Sequence, residues 1–236
     1  MKILTLTSAD FRDGQYVKNS GLLNFDGHVE IAANLGVIRL NKILVKGRLV
    51  IKEGTFLETD WSITAGGSIV SDGSIKSGGF IDSGRELTAG GSILAEWYID
   101  SVGSIKVGGT ITVGGSINSG GRITAGGSIT AGGRITADLA IYSGGSIASG
   151  EGISAALSIE CRHILKFKYH CFAGICTWEK IDADDKKITC GKIEGGTVLH
   201  GTVIETGLEE SEKQSPLSGR NIEFELDGQK HIAVIQ

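Results

Sequence analysis

Proline is almost missing from this chain. Pro216 is the only one in 236 residues, while glycine occurs 37 times at regular spacing, so the glycines mark a repeat rather than a disordered tract. No apolar run approaches the roughly 18 residues that a membrane-crossing helix needs. The opening segment MKILTLTSADF carries one lysine and an apolar-rich run too short for a signal-peptide core. No Asn-x-Ser/Thr acceptor occurs, and the four cysteines are unevenly placed, which together point to a cytoplasmic protein with reduced thiols. Charge of neither sign dominates. With 23 Lys and Arg against 27 Asp and Glu the net charge is −4, which argues against a nucleic-acid binder held by phosphate neutralisation. A phosphate loop, a nucleophile elbow, a His-Glu-x-x-His pair and a dinucleotide fingerprint are all lacking, so neither an enzyme nor a cofactor is expected.

What the chain has instead is rhythm. From Val45 to Leu165 every sixth residue is Ile, Leu or Val, and the purest unit, SITAGG, stands at Ser62–Gly67 and Ser128–Gly133. A fixed internal period means stacked supersecondary units. From Ile63 to Ile159 a small residue sits two positions after each aliphatic one, such as Ala65, Ser71 or Ala125, and a mostly polar residue separates them. That alternation makes each unit a short strand with one buried face. The following Gly-Gly suits a bend with positive φ or a close backbone approach.

Gly-Gly is also a hairpin signal. In an antiparallel meander Ile69 would pair with Thr64, and paired residues point to the same side of a sheet. The aliphatic residues would then change sides at every turn. A parallel coil keeps them all inside. FIDS at Phe80, YIDS at Tyr98 and SINS at Ser116 recur at every third unit, so three units make one coil. The expected fold is therefore all-β, a three-sided parallel β-solenoid of about 18 residues per coil and six per face, making about seven coils over 45–165.

The flanks do not keep the rhythm. Residues 1–44 read as an N-terminal β cap, with strand-like composition at Met1–Thr7, His28–Ala33 and Gly36–Leu44. Residues 166–236 read as a β-rich C-terminal cap or head domain with short runs over Ile188–Gly207, a polar loop from Leu208 to Gly219 and a terminal hairpin around Asp227-Gly228. Open solenoid ends expose unpaired backbone groups that such caps cover.

Departures from the repeat are the candidate site. At Glu96-Trp97 the corner glycines are replaced, Leu94 takes an outward slot, and Tyr98 follows. Coils of three units put Trp61, Gly79 and Trp97 on one edge, Phe80 and Tyr98 beside them, and Asp82, Asp100 and Asn118 two residues further on. Aromatic anchors rimmed by charge are what protein interfaces favour, so Trp61, Phe80, Asp82, Leu94, Trp97, Tyr98, Asp100 and Asn118 are the expected partner-binding residues. A terminal segment folded across this strip is the competing reading. Asp82 and Asp100 read as a solvated ladder rather than a catalytic or metal pair. Cys161, His163, His170, Cys171 and Cys176 are weak metal candidates, because their spacing matches no zinc pattern and burial of small thiols explains Cys161 and Cys171. No metal is expected.

The aliphatic and glycine repeat resembles the cores of the bactofilins, bacterial polymer-forming β-helical proteins, and the resemblance implies a homo-oligomeric, self-assembling scaffold. The SI-x-A-GG units ending in FAGICTW, Phe172–Trp178, resemble glycine-rich proteins of phage and prophage genomes. That likeness implies a phage-encoded, anti-defence interaction protein that binds a host macromolecule. A nucleotide or metabolite sponge, with a small-molecule ligand between subunits, is the third reading. The hexapeptide acyltransferase pattern [LIV]-[GAED]-x-x-[STAV]-x is not kept, since its Ser/Thr/Ala/Val position is usually glycine here.

Overall fold

Ile63 lies beside Ile81, and Ile81 beside Ile99, in parallel register one coil apart. This relation recurs along the chain. The computed structural model describes residues 2–176, 181–207, 221–226 and 229–234. In it the chain is all-β, a solenoid of about ten turns whose parallel strands lie about 18 residues apart. Among the described residues the only helical pieces are short 3-10 turns at Ser8–Asp10, Asn19–Gly21 and Asp184–Lys186.

The cross-section has three faces. Face A carries strands such as Ile69–Ser71 and Leu87–Ala89, face B Ile75–Ser77 and Ile93–Ala95, and face C Ile81–Ser83 and Ile99–Ser101. In every three-residue strand the outer two side chains turn inward and the middle one outward, as two-residue pleating demands. The aliphatic columns, including Ile81, Ile99, Ile117 and Ile135 of face C, are completely buried. Each such side chain contributes about 1.5–3 kcal/mol of burial.

The second inward slot mostly takes Ala or Ser, with Val107, Val113 and Cys161 among the exceptions. A buried hydroxyl needs an acceptor, and the coil below supplies one. Ser101 Oγ donates to Arg85 O at 2.7 Å, Ser119 Oγ to Gly103 O at 2.9 Å and Ser149 Oγ to Gly133 O at 2.7 Å, each from the corner of the preceding coil. Among the described residues no buried side-chain nitrogen or oxygen lacks a partner.

The corner glycines answer to space rather than to φ. A Cβ on Gly108 would stand 2.1 Å from the Gly90 carbonyl oxygen of the coil below. The corner glycines of the regular coils do not have positive φ, whereas Gly36, which opens the strand Gly36–Leu40 before the regular coils, has φ +66°. In the corners between faces A and B the slot after the glycines carries a hydroxyl ladder, with Ser92 N–H donating to Ser74 Oγ at 3.0 Å and Thr110 N–H to Ser92 Oγ at 3.1 Å.

The winding extends beyond the six-residue rhythm at both ends, which is why there are about ten turns rather than the expected seven. Leu22–Phe25 pairs in parallel with Lys42–Val45, and His28–Ile31 with Leu49–Ile51, at a longer offset than in the regular coils. The register changes within the rhythm itself. Val45 and Ile51 lie beside Ala65 and Ser71, in the small slot, while Ile43 and Leu49 stand in the aliphatic columns, stacked on Leu23 and Val29. The step from Leu49 to Leu57 is longer than the six-residue step of later coils, and this realigns the two patterns. At the other end Ile164–Ala173 is one strand running over faces B and C, and Lys192–His200 follows it with register shifts between Phe167 and His170. Ile188 stacks on Ile159, and Thr202–Glu205 on Lys187–Cys190. Asn221–Leu226 and Gln229–Val234 form an antiparallel pair, as expected; Asp227-Gly228 and the loop 208–219 lie outside the described residues.

Candidate functional site

The corner between faces B and C concentrates the aromatic residues. Its middle slot holds Trp61, Gly79 and Trp97 on successive coils, and the next slot holds Ser62, Phe80, Tyr98, Ser116 and Arg134. Phe80 and Tyr98 stack face to face, with ring centroids 4.8 Å apart and planes 2° from parallel. This is the repeat distance of the coil, so two rings in the same slot of adjacent turns meet by construction. Trp61 is 55% exposed, Trp97 52% and Tyr98 37%. Described residues therefore leave these rings open to solvent.

Beside the stack, the outward column of face C reads Thr64, Asp82, Asp100, Asn118 and Thr136 in register. Burial, and then the Asp100 carboxylate one coil away, push the Asp82 carboxyl above its ordinary range. Burial first, then Asp82 and Asp100, likewise raise the Tyr98 phenol. No ion pair from a described basic group reaches either carboxylate. Trp97, Tyr98, Asp100, Gly115, Ser116 and Asn118 line an open depression of about 450 Å³.

Seven of the eight expected partner-binding residues, Trp61, Phe80, Asp82, Trp97, Tyr98, Asp100 and Asn118, thus gather along one strip. Leu94 does not belong with them. It is 39% exposed on face B, between Lys76 and Thr112, and borders a shallow hollow with Phe56 and Glu58.

No family model, curated protein or solved structure matches the chain. What the site does has to be read from its own geometry.

The weak metal candidates do not converge on one metal-holding group among the described residues. Cys161 occupies the small inward slot after Ser143 on face A, and Cys171 the aliphatic column of face C beside Ile153. Both are buried, whereas Cys176 is half-buried beyond Gly174. His163 sits at the corner between faces A and B, where its backbone N–H donates to Gly145 O at 3.2 Å, and His170 packs edge-on against Phe172. Among the described residues no group of three or more His, Cys, Asp or Glu side chains is placed to hold a metal ion.

A second concavity was not foreseen. Arg134, Glu151, Tyr169, His170 and Phe172, with Thr136 and Ser154, line an open cavity of about 500 Å³ farther along the same corner. Its sequence signal was present, since Arg134 and His170 stand two coil lengths apart. The irregular register after Phe167 hid it.

Proposed function

We propose that this chain is a non-enzymatic interaction protein whose solenoid holds a partner macromolecule along the corner strip from Trp61 to Asn118. The observation that carries this reading is the stacked pair Phe80–Tyr98, flanked by the open Trp61 and Trp97 rings and by two carboxylates without ion-pair partners among the described residues. Large rings left in water are costly to a folded monomer and valuable at the centre of an interface. The rigid coil beneath fixes their spacing before any partner arrives, which reduces the ordering cost of association. The expected phage setting, with a host defence factor as the partner, belongs to this proposal and rests on sequence likeness alone.

The test is a comparison of wild type with Trp97→Ser/Tyr98→Ser. Both residues sit outside the aliphatic columns, so the double variant is expected to keep the β-sheet circular dichroism of the parent. The partner recovered with tagged wild type from the native host should be lost with the variant. Equal recovery would remove the strip from consideration.

A bactofilin-like scaffold is the second reading. Ile3, Val17 and Leu22 at one end of the described coil and Leu199, Val203 and Ile204 at the other are exposed apolar residues. End-to-end stacking would bury them, and light scattering that gives a single monomer mass at all concentrations would exclude it.

A further inference from the structure

Tyr98 ends its stack. Phe80 covers one of its faces, and on the next coil the same slot holds Ser116, too short to cover the other. Over Gly115 the surface stays low for a physical reason, since a Cβ there would come 2.2 Å from the Trp97 carbonyl oxygen. The depression beside Tyr98 is therefore built by the coil, and Asp100 and Asn118 stand along its side.

Elsewhere the molecule fills comparable places itself. The Arg122 guanidinium carbon lies 5.4 Å from the Tyr142 ring centroid, and Lys168 Nζ lies 5.0 Å from that of Tyr169. Above Tyr98 the described chain supplies no cation. Arg134, in the same slot two coils on, lies 4.0 Å from Glu151.

We infer that this depression takes an arginine side chain from a basic segment of the partner protein. The guanidinium continues the Phe80–Tyr98 stack on the open face of Tyr98, against Trp97, while its N–H groups donate to the Asp100 carboxylate and the Asn118 side-chain oxygen. A planar cation suits an aromatic face and a carboxylate at its edge together; an ammonium is a compact, more strongly hydrated charge that cannot stack. Asp82, one coil below Asp100, adds a second negative charge within range. This inference rests on the reading of the strip as a partner surface and specifies what that surface recognises.

The experiment is calorimetric titration of the full chain with hexa-arginine, hexalysine and hexacitrulline peptides in low salt. Hexa-arginine should bind about fivefold or more tightly than hexalysine, and hexacitrulline, which keeps the shape without the charge, should not bind measurably. Tyr98→Leu and Asp100→Asn should each weaken hexa-arginine about fivefold or more, whereas Asp26→Asn, which removes an equal charge from an exposed pair with Lys46, should stay within about twofold. Circular dichroism of each variant checks the fold. Equal affinities for arginine and lysine, or a Tyr98→Leu variant that binds like wild type, would overturn the inference. Loss of the cellular partner in Trp97→Ser/Tyr98→Ser without any response to hexa-arginine would overturn it while leaving the partner surface standing. A concentration-dependent dimer abolished by Asp100→Asn would assign the site to a second copy of this chain and overturn the assignment to another protein.

Discussion

Ser77 Oγ donates a 2.6 Å hydrogen bond to the carbonyl oxygen of Trp61, at the corner one coil below. The same carbonyl accepts the Gly79 N–H at 3.1 Å. A buried side chain of face B thus ties down the corner that presents the Trp61 ring. Thr59 Oγ1 donates to the same carbonyl as well, at 3.0 Å, so Ser77→Ala removes one of three donors and leaves no empty slot of consequence, because other coils carry alanine there, as at Ala95. The expected cost is about 1 kcal/mol, read from the midpoint of urea denaturation.

Inside and outside should separate sharply along one strand. Ile129 is fully buried, while Thr130 beside it faces solvent in the outward column of face B. Ile129→Ala is expected to cost about 2–5 kcal/mol because the stacked coils above and below cannot close the gap. Thr130→Ala should change stability by no more than about 0.5 kcal/mol. Denaturation of the two variants under identical conditions makes the comparison.

Two glycines should fail for different reasons. At Gly108 a methyl group meets the Gly90 carbonyl at 2.1 Å, so two turns must move apart; at Gly36 there is open space, but φ is +66°. Gly108→Ala is expected to destabilise by about 1–3 kcal/mol through overpacking. Gly36→Ala should cost about 1–2 kcal/mol through backbone strain. Asparagine tolerates that region, so Gly36→Asn should restore part of the loss while Gly108→Asn restores none.

The regular coils were legible because side-chain period and coil length agree. Once Ile63, Ile69 and Ile75 define three faces, the pairing of Ile63 with Ile81 and the meeting of Phe80 with Tyr98 follow by counting coil lengths. Counting failed where the coil length changes. Val45 and Ile51 keep the six-residue series but occupy the small slot, following Ile43 and Leu49 inward along their strands. Leu94 is near Trp97 in sequence, which suggests the strip, but the corner at Glu96 turns it onto another face. Past Leu165 the strand Ile164–Ala173 rounds its corner without the usual glycines, so the pattern ended in sequence while the parallel stacking continued.

The thiols at that end give a pH signature. Burial, and then the neighbouring Cys190, push Cys161 up to about 12; burial, then Cys190 and Cys161, push Cys171 up to about 12. Both therefore stay neutral in the folded chain at physiological pH, where ionised thiol is the reactive form. Iodoacetamide should modify the half-buried Cys176 in the native protein and reach Cys161, Cys171 and Cys190 only after unfolding, as counted by mass spectrometry. An unfolded thiol ionises near about 8.5. Because the folded values lie above this, the unfolded state loses protons first, and the stability these groups contribute is complete below about 8.5 and declines as pH rises towards about 12. Cys161→Ser places a residue type already accommodated one coil below at Ser143 and removes one of the titrating groups. The urea midpoint of wild type should fall more steeply than that of Cys161→Ser between about pH 8.5 and 10.5. Parallel curves would show that Cys161 does not titrate as its burial requires.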